Sequence, residues 1–162
     1  MAKPQKPWEV YEQAARIVVN DLRQQLGLIN VEGKQELLGT SGASWEIDGK
    51  AILVGQAGFL VMEARRRTTS GQKQEDIAAI AYRIHDLGGT GGIIVSPLPL
   101  QTGAKIIAEH ANIHQIRLES WSTAENYLAE FMGRTFYGIA KHDHIVRTDQ
   151  FEVTVIRAGK PA

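Results

Sequence analysis

The sequence predicts an α/β protein, a mixed central β-sheet flanked by helices with a small C-terminal helix and β-hairpin appended. Three observations predict it. Apolar residues recur at helical spacing near the N-terminus, short alternating runs separated by glycine turns follow, and from residue 72 to 118 helical and extended patterns alternate. A chain of 162 residues is long enough for one substantial core, and we expect a main domain over residues 1–119 with residues 120–162 as an extension packed on it.

The first element follows Pro7, which suits a helix start. Tyr11, Ala14, Ala15, Val18, Leu22 and Leu26 then form one apolar stripe, and Gly27 supplies a stop. Residues 28–43 alternate loosely and end in the flexible run 39–43. Residues 45–47, 51–54 and 59–65 read as a meander of three strands, with Asp48-Gly49 as a turn signal and 55–58 as a second turn. Ile77, Ala78, Ile80, Ala81, Ile84 and Leu87 mark a second helix that Gly88 ends. Residues 92–96 are a continuous apolar run, as in a strand buried on both faces. A third helix over 102–112 and a strand over 113–118 complete a unit expected to be parallel and right-handed.

The glycine-rich run 88–92 follows a helix and opens a strand, the reverse of a phosphate-binding loop, so it reads as a helix cap and tight connection. Ser122 and Glu125 form a capping box that opens a further helix, and residues 136–139, 145–147 and 151–157 look extended.

Composition narrows the chemistry. There are no cysteines, so disulfides, thiolate metal sites and cysteine nucleophiles are excluded, and any metal must take oxygen or imidazole ligands. The 18 basic and 18 acidic residues balance, leaving no strong overall field. No apolar run is long enough to span a membrane and no signal peptide is evident, so a cytoplasmic location is expected. The pair His142 and His144 offers two imidazoles without a spaced partner set, and reads as an exposed loop entering the hairpin.

Charge is concentrated at one place. The apolar run 59–62 leads directly into Glu63, Ala64, Arg65, Arg66 and Arg67, with Gln72, Lys73 and Gln74 shortly after. Strand alternation puts Glu63, Arg65 and Arg67 on one side and Ala64 and Arg66 on the other. Asp48 before a glycine is also what a turn requires, and Glu63 has an alternative as the ion-pair partner of Arg65 or Arg67.

Asp48, fourteen intervening residues and then Glu63-x-Arg65 resemble the Asp…(Asp/Glu)-x-Lys signature of the restriction-endonuclease-like nucleases. The run 91–118 is most similar to the Mrr and Holliday-junction-resolvase branch, and the resemblance covers residues 8–118. It implies a restriction-endonuclease-like fold and hydrolysis of DNA phosphodiester bonds, with Mg2+ or Mn2+ as cofactor. Asp48, Glu63 and the backbone carbonyl of Ala64 would hold the metal, an oxygen-ligand set suited to a hard divalent ion. Glu12 would be the first-helix glutamate that supports the metal or orients a water. Arg66, Arg67, Gln72 and Lys73 would contact nucleic acid, and cleavage of both strands implies a homodimer. The departure is Arg65, where the family pattern has lysine. An arginine cannot serve as a general base but can clamp phosphate. Two functions follow from the resemblance: a metal-dependent DNA endonuclease of restriction or resolvase type, or a catalytically inactive DNA-binding or assembly subunit that retains the fold.

Overall fold

The computed structural model describes residues 7–55, 57–66, 70–120, 143–147 and 151–156. The chain is α/β, with a mixed sheet flanked by helices. Helix α1 (Pro7–Asp21) is followed by a short α2 (Arg23–Leu26). The hydrogen bonds from Leu22 N to Val18 O and from Leu26 N to Leu22 O carry the helical ladder across the irregularity at Leu22. Gly27 ends it in the left-handed region at φ 72°, the stop expected from sequence.

Next come β1 (Leu28–Glu32), β2 (Gln35–Leu38), β3 (Ser44–Ile47), β4 (Gly49–Leu53) and β5 (Phe59–Ala64). The expected meander is corrected in one respect. β3 does not join the main sheet but pairs antiparallel with β2, while β4 pairs antiparallel with both β1 and β5. β1–β2 and β3–β4 are thus the two arms of one long bent hairpin whose tip is the run 39–43. Asp48 marks the bend where one arm passes from the two-stranded ribbon into the main sheet, rather than a hairpin turn.

From β5 the chain continues through α3 (Gln74–Leu87), β6 (Gly91–Ser96), α4 (Thr102–His110) and β7 (Ile113–Ser120). Strands β5, β6 and β7 are parallel neighbours, as the strand, helix, strand pattern requires. Gly88 caps α3 at φ 72°. Gly91 is needed for close approach, since a Cβ there would lie 2.4 Å from the Asn112 carbonyl oxygen. Strands β8 (Asp143–Arg147) and β9 (Phe151–Ile156) form the expected hairpin, and β9 pairs antiparallel with β7, so the seven-stranded order is β1-β4-β5-β6-β7-β9-β8. Asp143 and His144 open β8. The helix expected from Ser122, the extended run 136–139, His142 and Arg67 lie outside the described residues.

The sheet divides two cores. On one face α1 packs Tyr11, Ala14, Ala15 and Val18, with Leu22 just after it, against Leu60, Met62, Ile93, Val95, Ile116 and Leu118. The Tyr11 hydroxyl adds a buried hydrogen bond to the Leu118 carbonyl at 3.2 Å. On the other face α3 and α4 bring Ile77, Ile80, Ile84, Ala104 and Ala108 against Val61, Ile94 and Ile113. Burying each large aliphatic side chain contributes about 1.5–3 kcal/mol, so both faces fix the sheet between helices. Among the described residues no helix is long and apolar enough to cross a membrane.

Candidate functional site

The bend in the long hairpin carries Asp48 to the end of β5. Its Oδ2 accepts the Ala64 backbone N–H at 2.8 Å. The next amide, Arg65 N, donates to Val95 O of β6 at 2.7 Å. A trans peptide holds C=O opposite N–H, so the Ala64 carbonyl faces away from β6, on the side from which Asp48 approaches. The Asp48 carboxylate and the Ala64 carbonyl therefore lie on the same side of β5.

Glu63 is the last inward residue of β5 and is only 4% exposed. A carboxylate at that depth must be paired. Arg83 of α3 ion-pairs with its Oε1, and Arg65 Nη2 lies 3.7 Å from its Oε2. Burial pushes the Glu63 carboxyl above its ordinary value, with Asp48 adding to the rise, while Arg83 and Arg65 pull it down.

Glu12 stands on α1, across the sheet from Glu63. Burial raises its carboxyl and the charge of Asp48 raises it further, so Asp48 couples to both glutamates. Lys34, in the bend between β1 and β2, lies 3.4 Å from Glu12 Oε2 and 3.2 Å from Glu46 Oε1. Among the described residues no three His, Cys, Asp or Glu side chains gather closely enough to hold an ion. The side-chain donors near β5 are the pair Asp48 and Glu63, and the Glu63 oxygens face two guanidinium groups.

The residues expected to meet nucleic acid separate by depth. Arg66 and Lys73 are exposed beside the end of β5 and the start of α3. Gln72 is 1% exposed, so it lies under that surface; its carbonyl accepts the Gln101 amide at 3.1 Å and its Nε2 has no partner.

Sequence reasoning missed Arg83. Its signal was its place three residues after Ile80 and one before Ile84, at the border of the apolar stripe, where a helix brings a long side chain onto the sheet. Three residues on, Asp86 is also buried and anchors the hairpin tip. It accepts from Trp45 Nε1 at 2.7 Å, from the Ser41 amide at 2.8 Å and hydroxyl at 2.7 Å, and from the Thr40 hydroxyl at 3.1 Å. These donors hold its carboxyl at about 2, the Trp45 indole foremost. The Arg83 guanidinium also lies over the Trp45 ring, 5.2 Å from its centroid. One face of α3 thereby holds both the tip of the hairpin and the acid at the end of β5.

No family model matches the chain, and no curated protein is significantly similar to it. The fold does match a solved structure, the crystal structure of a protein of unknown function, AF1548, with a TM-score of 0.53 and 19% sequence identity. The match covers 65% of this chain and 56% of the other, so it spans little more than half the length of that protein and is a likeness of fold alone.

Proposed function

We propose that the protein is a divalent-metal-dependent DNA endonuclease of the restriction-endonuclease-like, Mrr or resolvase type, acting in the cytoplasm as a homodimer. The observation that carries this reading is the Asp48 hydrogen bond to the Ala64 amide, which sets one carboxylate beside a second, buried one at the end of a central strand. Asp48, Glu63 and the Ala64 carbonyl offer a hard-oxygen donor set, and Mg2+ or Mn2+ is the matching cofactor. The fit rests on the type of the donors, two carboxylates and a carbonyl, while one Glu63 oxygen is paired with the Arg83 guanidinium. When bound, the ion would supply charge stabilisation at the scissile phosphate.

The chain's own residues have separate tasks. Arg65, half-exposed and on the Glu63 side of the strand, would clamp the phosphate. Exposed Arg66 and Lys73 would bind the backbone without reading sequence. Glu12, coupled to Asp48, would orient a water from the α1 side. Two cuts on opposite strands need two such sites, which a symmetric dimer provides.

A second reading is supported by the same ion pair. With Arg83 on one Glu63 oxygen and Arg65 near the other, the site suits a catalytically inactive DNA-binding subunit that retains the fold. The test offers supercoiled, branched and single-stranded DNA with Mg2+ or Mn2+ to the wild type, Asp48→Ala and Glu63→Ala. Cleavage lost in both variants supports the endonuclease; salt-sensitive binding without cleavage supports the second reading. Cleavage indifferent to both substitutions overturns the metal-site assignment.

A further inference from the structure

The register of the parallel strands places a second arginine in line with Arg65. Ala64 pairs with Val95 and Ser96 with Arg117, and the bond from Arg65 N to Val95 O extends the β5–β6 ladder by one residue. Arg65, just past β5, Ser96, the last residue of β6, and Arg117, within β7, therefore form one row. The row beneath is Glu63, Ile94 and Gln115. Val61, Ile94 and Ile113 all enter the core shared with α3 and α4, so by alternation Glu63, Arg65, Ser96, Gln115 and Arg117 belong to that same face.

The centre of the row is fixed. The Ser96 hydroxyl donates to the Leu98 carbonyl at 3.1 Å, and buried Gln115 Nε2 donates to the same carbonyl at 3.1 Å. The connection from β6 to α4 is thus held down between the two arginines. The starts of α3 and α4 meet at this end of the sheet, where Gln101 donates its amide to Gln72 O at 3.1 Å and its Nε2 to Gly71 O at 3.2 Å. Both helix dipoles turn their positive ends toward it, and the carboxyl end of a parallel sheet is where open α/β folds take ligands. Arg65 and Arg117 are both partly exposed there. Two strand spacings separate them by about 10 Å at the backbone, close enough for two long side chains to meet neighbouring phosphates of one strand.

We propose that Arg117 is a second phosphate-binding residue, taking a backbone phosphate neighbouring the one at Arg65 on the same strand. The proposal rests on the nucleic-acid reading above and extends the substrate track from β5 to β7. Its chemistry is a charge-assisted, bidentate contact that positions the strand without reading bases.

The test measures binding of the full chain to a labelled duplex over a NaCl series, without divalent ions so that no cleavage occurs. Arg117→Met should weaken binding about tenfold at low salt and reduce the slope of log K against log salt by about 1. Arg117→Lys should keep the wild-type slope. Alongside, wild-type protein is treated with an arginine-specific dicarbonyl reagent with and without duplex, and DNA should protect Arg117; this readout holds even if Arg117→Met folds poorly. An unchanged slope in Arg117→Met, or no protection of Arg117, overturns this proposal while wild-type binding leaves the nucleic-acid reading standing. If wild-type protein shows no salt-sensitive binding to DNA, both fall.

Discussion

Arg83 on α3 and Glu63 at the end of β5 form an ion pair between an acid that is 4% exposed and a guanidinium that is itself mostly buried. The pair joins the helix to a strand residue whose charge cannot be left alone. Removing the arginine and removing the acid are therefore not equivalent. Arg83→Met should destabilise the fold by about 3 kcal/mol, because it strands a buried carboxylate. Glu63→Gln in the same chain should recover much of that loss, since a neutral amide no longer needs the cation. Urea unfolding of the two single variants and the double variant measures the coupling; strict additivity would show that the pair carries no net interaction.

The same pair predicts how an ion acts on stability. If Asp48 and Glu63 hold Mg2+ or Mn2+, the ion should replace the missing guanidinium in Arg83→Met. Its melting temperature should then rise with added Mn2+ by more than that of the wild type, following the concentration dependence of any ligand bound only by the folded state. Asp48→Ala in the Arg83→Met background should abolish the gain. Equal and small shifts in all three proteins would separate Glu63 from metal binding.

The acids differ in sign with pH. The folded-state carboxyl of Glu63 is raised above 4.5 by burial, so the folded protein holds that proton more tightly than the unfolded chain. Its contribution to stability is greatest below 4.5 and is lost as pH rises through the folded value. Glu12 has the same sign. Asp86 is the opposite case, held at about 2 against an ordinary 3.8, so its contribution is complete above 3.8 and lost as pH falls toward 2. Asp86→Asn should flatten the acid limb of a stability profile, and Glu63→Gln should flatten the decline above 4.5. Denaturation midpoints between pH 2 and 8 decide both.

Asp86 and Gly39 make a linked prediction. A Cβ on Gly39 would lie 1.9 Å from Asp86 Oδ2, so the glycine admits the carboxylate that binds Thr40, Ser41 and Trp45. Gly39→Ala should displace Asp86 and release the hairpin tip. Exchange of the Trp45 indole proton should speed up in both Gly39→Ala and Asp86→Asn, and the double variant should exchange no faster than either. Additive acceleration would mean that the glycine and the aspartate act separately.

What the sequence made legible divides along physical lines. Periodicity disclosed the helices and parallel strands because each apolar stripe is a local pattern, and Gly27 and Gly88 announced their own stops. Asp48 was marked by its type and spacing but misread as a turn, because a bend within one arm and a turn between two arms use the same residues. Whether β3 pairs with β2 or β4 depends on partners distant in sequence, which no local pattern encodes. Arg83 was hidden for a similar reason: a basic residue at the edge of a helical stripe looks the same whether it reaches solvent or a buried acid. The Arg65, Ser96 and Arg117 row needs a register between strands, and register follows only once the sheet order is known.

Arg65 remains the residue on which chemistry and binding part. It sits beside Glu63 at 3.7 Å, is 39% exposed along its side chain, and stands where the nuclease signature that the sequence resembles has lysine. If it stabilises charge developing on the phosphate, its contribution is electrostatic and depends on a cation at that place, not on proton transfer. Arg65→Met should then lower single-turnover cleavage by about a hundredfold, the usual loss on removing one preorganised charge donor. Arg65→Lys should retain most of the rate and leave the shape of the pH–rate profile unaltered, because neither side chain is asked to exchange a proton. A new rising limb in Arg65→Lys would mean that lysine has taken up general-base work that arginine cannot perform, and that the wild-type site cleaves by a different route from the lysine-bearing pattern. If both variants cleave at the wild-type rate, Arg65 serves only as the outer partner of Glu63.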